Sequence, residues 1–129
     1  MSTQNEEQTR YERIKENCKK IWGADKEFEF DIETDDYEHY QCIVREDYGL
    51  RFGSPLVIAS ARNGPNKAWD ELDRMLRLWA RQVESGRPMT REEQLEIFSG
   101  PHGEHKRVLE DFMNRRDEMD ALAAAAKKA

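Results

Sequence analysis

The sequence predicts an α+β domain of the order α-β-β-β-α: an antiparallel sheet of three or four strands covered by two helices, with a C-terminal helical extension. Three observations predict it. Apolar residues recur at helical spacing before Gly23, alternate with acidic ones from Phe28 onward, and return to helical spacing after Pro65. A period near 3.6 marks one buried helix face, and a period of two marks a strand with one dry side. An interior between these periods restricts the architecture to a small sheet with helices packed on one face.

The first helix is expected from Thr9 to Trp22, where Tyr11, Ile14, Cys18, Ile21 and Trp22 share one side. Thr9 with Glu12 three residues later reads as a capping box, and Gly23 as a left-handed stop. Phe28, Phe30 and Ile32 then alternate with Glu29, Asp31 and Glu33. Thr34-Asp35-Asp36-Tyr37 reads as a turn, because aspartates bond turn backbone. Tyr40, Cys42 and Val44 resume the alternation, and Glu46-Asp47-Tyr48-Gly49 predicts a second turn with Gly49 at positive φ. Leu50 to Phe52 restarts a strand. Gly53-Ser54-Pro55 either bends that strand or separates it from a fourth through Leu56–Ala59, since proline donates no ladder hydrogen bond. Trp69, Leu72, Met75, Leu76, Trp79 and Val83 define the long helix, from about Pro65 to Glu84, with proline where its missing N–H costs nothing. Ser85-Gly86-Arg87-Pro88 ends it.

The core domain is therefore expected over residues 1–88, and residues 89–129 form a helical extension packing on it. Thr90-Arg91-Glu92-Glu93 is a capping box that opens a short helix through Leu95, Ile97 and Phe98. Ser99-Gly100-Pro101 breaks it, and a last helix carries Val108, Leu109, Phe112, Met113 and Met119. Ala121 to Ala129 favours helix but has no apolar stripe to anchor it, so fraying is expected.

Charge constrains function more than motif does. The chain of 129 residues has a net charge of -6, and 37% of it is charged. The acids are not spread evenly: residues 24–50 hold ten of them against only Lys26 and Arg45. That region repels a polyanion, because affinity for phosphate rests on cations displacing counterions. No apolar run reaches the roughly 18 residues of a membrane span, and Met1–Gln8 lacks the apolar centre of a secretion signal. Two cysteines, Cys18 and Cys42, each beside an apolar run, read as buried thiols in a reducing compartment. The expected location is intracellular, cytoplasmic or nuclear.

No residue grouping points to catalysis. His102 and His105 with Glu104 between them lack the further ligand pair of a zinc site, and Gly100-Pro101-His102-Gly103 reads as a loop. Glu29, Asp31 and Glu33 on one strand face suit either a divalent ion or a solvated surface that discourages edge pairing, and the second is the simpler assignment. No cofactor and no metal are expected. Trp22, Trp69 and Trp79 lie in apolar stripes and read as core. Lys67, Arg74, Arg77 and Arg81 make a basic stripe able to follow a phosphate backbone. Asp70 and Asp73, four residues before Arg74 and Arg77, are expected to neutralise it along the helix. The C-terminal apolar set Leu95, Phe98, Val108, Leu109, Phe112 and Met113 either folds back or offers a partner or dimer face.

With these residues in hand, the order from Thr9 to Glu84 resembles a double-stranded-RNA-binding domain in topology and length. The resemblance implies RNA reading by the first helix, by the loop between the first two strands, and by a lysine cluster opening the second helix. Here Glu12 and Glu16 keep suitable side chains on the first helix. The loop carries Thr34-Asp35-Asp36-Tyr37 where the family has Gly-Pro-x-His, and the cluster is reduced to Lys67 among Pro65, Asn66 and Asp70. Domains of this kind that lose RNA affinity tend to serve as protein–protein adaptors. Trp69-x-x-Leu72-x-x-Met75-Leu76 followed by Ser85-Gly86-Arg87-Pro88-Met89-Thr90 also resembles small uncharacterised proteins of filamentous fungi, which implies no activity. The expectation is a non-enzymatic module that binds a protein partner or itself. The alternative is duplex-RNA binding through the long second helix.

Overall fold

The computed structural model describes residues 2–35 and 38–128. In chain order it has α1 (Ser2–Trp22), β1 (Phe28–Asp35), β2 (His39–Asp47), β3 (Phe52–Arg62), α2 (Pro65–Glu84), α3 (Arg91–Phe98) and α4 (Lys106–Lys128). The chain divides into two compact units, Met1–Met89 and Thr90–Ala129.

In the first unit one antiparallel sheet runs in the order β1-β2-β3. Phe30 pairs with Val44 and Ile32 with Cys42, which in turn faces Ala59. These pairings put the apolar members of three strands on one face, where Cys42, Val44, Val57 and Ala59 are buried. The helices supply the opposite wall: Ile14 and Cys18 from α1, and Ala68, Leu72, Met75, Leu76 and Ala80 from α2. Burying a large aliphatic side chain of this kind contributes roughly 1.5–3 kcal/mol. Aromatic rings tie α1 to β1, with Tyr11 edge-on to Phe30 at 5.5 Å and Trp22 tilted on Phe28 at 5.9 Å. Trp22 also meets Trp79 of α2 edge to face at 5.1 Å. Trp22, Trp69 and Trp79 are all half-buried.

Three local expectations are resolved by the structure. The sheet has three strands, since β3 passes through Pro55 without ending. Val44 pairs with Val57 and Arg45 with Pro55, so Leu56 is an extra residue in a bulge that absorbs the missing donor. Helix α1 begins at Ser2 instead of Thr9, and the Thr9 hydroxyl donates back to the Asn5 carbonyl at 2.8 Å. Glu6, Glu7 and Gln8 are good helix formers, so nothing upstream of Thr9 stops the helix. At the far end α4 continues through the alanine run to Lys128, where fraying was expected; alanine is the strongest helix former and sustains it. Gly23 and Gly49 do take positive φ, 140° and 89°. Of the turn expected at Thr34–Tyr37, Asp36 and Tyr37 lie outside the described residues.

Candidate interaction surfaces

Electrostatics of the first unit turn on how α1 and α2 meet. Asp73 is not turned along α2 toward Arg77. It takes a bidentate grip from Arg13, with Nε donating to Oδ1 at 2.8 Å and Nη2 to Oδ2 at 2.6 Å. Asp70 likewise receives Arg10 Nη1 at 2.9 Å. Arg74 is held by the buried Glu71, three residues back, through two 2.7 Å hydrogen bonds. The expected i,i+4 pairs of Asp70 with Arg74 and of Asp73 with Arg77 are thus replaced by pairs that clamp two helices together. The Asp73 hydrogen bond, aided by its charge and opposed by burial, raises the Arg13 guanidinium above its ordinary value.

One consequence falls on the basic stripe. Lys67, Arg77 and Arg81 are exposed, and the acids closest in sequence are engaged elsewhere. Arg74 is half-buried and committed to Glu71. The stripe therefore presents three of its four cations to solvent.

The acidic sheet face is partly neutralised from within. Arg45 lies 3.7 Å from Glu29 and 4.0 Å from Asp31 on the neighbouring strand. A guanidinium at that position competes with any bound cation, so the array reads as a charged surface with its own counter-ion. His39 accepts a 3.1 Å hydrogen bond from Arg62 Nε and sits beside Asp35, at the far end of the β1–β2 pairing. Cys18 and Cys42 are buried free thiols, each pushed up to about 12 by burial, with Arg10 partly offsetting this at Cys42.

In the second unit, α3 opens with the expected capping box: Thr90 accepts from the Glu93 N–H, and Glu93 accepts from the Thr90 N–H. Arg91 ties α3 to α4, donating to Asn114 Oδ1 at 2.6 Å and lying 3.3 Å from Asp117. The six apolar residues singled out in the sequence separate by environment. Met113 is buried, Leu95, Phe98 and Leu109 are half-buried, and Val108 and Phe112 are exposed. Ile97 is buried as well. The outward apolar surface of α4 overlaps that set only in part, with Val108 70%, Phe112 62%, Met119 67% and Leu122 67% exposed. Their spacings of four, seven and three keep all four within an arc of roughly 80° on the helix. Sequence reasoning included Val108 and Phe112 in the candidate apolar surface, placed Met119 on the helix without assigning it to that surface, and left Leu122 in a fraying end. Their heptad-like spacing was the signal available.

His102 and His105 lie in the exposed loop before α4, and the His102 N–H donates to Glu104 Oε2 at 3.3 Å. Burial pushes the Glu104 carboxyl up, but backbone hydrogen bonds and both imidazoles outweigh it and hold the group below its ordinary value. Among the described residues no three His, Cys, Asp or Glu side chains converge as a metal site would require. Nor is any described helix long and apolar enough to cross a membrane. Comparison with protein-family models, with curated proteins and with solved structures finds no match for this chain.

Proposed function

We propose that the chain is a non-catalytic protein-interaction module of an intracellular compartment, with α4 as its contact surface. The observation that carries this reading is the exposed file of Val108, Phe112, Met119 and Leu122. Isolated apolar residues are ordinary on protein surfaces, but four large ones on one helix face, broken only by Arg115, suit helix-mediated association. Full burial of such a side chain contributes roughly 1.5–3 kcal/mol, and covering the exposed two-thirds of each favours association against its entropic cost. Site-specific photocrosslinking from position 112 tests it, with position 124 on the other side of the same helix as the control. Crosslinks from 112 and none from 124 are expected in cells expressing the protein. Equal labelling at both positions, or none at either, would reject α4 as the contact surface.

A second reading has its own support. Lys67, Arg77 and Arg81 are exposed while Asp70 and Asp73 are turned to α1, which favours duplex-RNA binding through α2 more than the sequence alone did. Fluorescence anisotropy with a short RNA duplex discriminates. Binding that weakens steeply with salt and is lost in Lys67→Glu/Arg81→Glu would establish it. An unchanged anisotropy at low salt would remove it.

A further inference from the structure

We propose that α4 pairs with α4 of a second copy of this chain, antiparallel and about a two-fold axis; this rests on the reading of α4 as the contact surface. The outward file extends further than its four large members. Val108, Phe112, Arg115, Met119, Leu122 and Ala126 follow one another at spacings of four, three, four, three and four. All six are exposed. An alternating four–three repeat is the seam of a two-stranded coiled coil, in which each residue inserts between residues of the facing helix. From Val108 to Leu122 the seam runs about 21 Å at 1.5 Å per residue.

Arg115 decides the occupant and its direction. A lone charge in an apolar seam is tolerated where the partner supplies the opposite charge, and such a residue fixes register and orientation. Two α4 helices laid parallel would set Arg115 against Arg115 of the second copy, two cations on one desolvated layer. Laid antiparallel, in the register that uses all six seam positions, Phe112 faces Leu122 of the second copy and Arg115 faces Met119. Glu118 of the second copy, one residue before that Met119 and flanking the seam, then lies beside the guanidinium. The two-fold axis repeats the pair, so the centre holds two arginines and two glutamates in alternation. Arg116, the neighbouring cation, is drawn the other way, 3.7 Å from Asp117. Asp117 is itself tied to Arg91 of α3. Head-to-tail helix dipoles also oppose favourably in this arrangement. A seam this short supports a dimer with a dissociation constant on the order of 10 µM.

The test uses the full-length chain in sedimentation velocity from about 1 to 300 µM. Wild type should pass from monomer to dimer over that range, and Phe112→Glu should remain monomeric with an unchanged circular dichroism spectrum. Arg115→Glu and Glu118→Arg should each be monomeric alone, because each sets like charges together. Mixed in equal amounts they should dimerise, since every cross-copy pair is then complementary. A wild type that stays monomeric throughout overturns self-pairing. Crosslinks from position 112 to a different protein would then leave the interaction module standing, and their absence would end both. A Glu118→Arg chain that dimerises as wild type does overturns the antiparallel arrangement.

Discussion

The Arg13–Asp73 pair should respond unequally to removal of its two halves. Asp73 has a side chain only 11% exposed, whereas that of Arg13 is 42% exposed. Arg13→Gln leaves a mostly buried carboxylate without the two donors it held, and an unsatisfied buried charge costs more than the net value of the bond. Asp73→Asn leaves an amide oxygen that still accepts one bond from Arg13, and the half-exposed guanidinium keeps its water. The expected losses are about 2–3 kcal/mol for Arg13→Gln and about 1 kcal/mol for Asp73→Asn. Partial exposure of the arginine trims both figures through solvent screening. Urea denaturation at neutral pH measures this as a fall in midpoint at constant slope. Equal losses, or a larger one in Asp73→Asn, would refute the argument that burial of the carboxylate sets the cost. The double variant Arg13→Gln/Asp73→Asn should lie close to Asp73→Asn, because the stranded charge is gone.

Three further outcomes are expected. Leu76, fully buried at the α2–sheet interface, should lose about 2–5 kcal/mol on substitution by alanine, read from the same urea curves. Cys18 and Cys42 should resist Ellman's reagent at mildly alkaline pH in the folded protein and both react once it is denatured. Their folded values, about 12, lie above the ordinary 9.0. The stability they contribute is therefore complete below that ordinary value and lost as pH rises through the folded one. Stability should fall from about pH 9 upward, and Cys42→Ala should flatten that part of the profile. Thr90→Ala removes the α3 cap and should cost about 1 kcal/mol, with faster amide exchange across the first turn of α3.

What the sequence disclosed depended on whether the deciding neighbour was local. Helix α2 was legible end to end because Trp69, Leu72, Met75 and Leu76 repeat at its period and Pro65 and Ser85-Gly86 bracket it. Thr90 and Glu93 were legible for the same reason, being three residues apart. Pro55 was ambiguous locally; the ladder to β2 kept one strand by leaving Leu56 unpaired. The acids Asp70 and Asp73 had suitable partners on their own helix. They chose arginines some sixty residues away, since a second helix crosses directly over them. No spacing rule contains that crossing. On α4 the repeat was present in the residues, but Arg115 interrupted it and the alanine run disguised its end.

Pro55 and its bulge have a consequence beyond the strand count. β3 is an edge of the sheet, and its eleven residues would offer a long template to any passing strand. The bulge and its local twist divide that template into 52–54 and 56–62, and the opposite edge, β1, alternates glutamate and aspartate with its apolar residues. Neither margin invites a foreign strand to extend the sheet. A solution crowded with this protein should therefore stay clear and free of fibrils, remaining responsive to dilution.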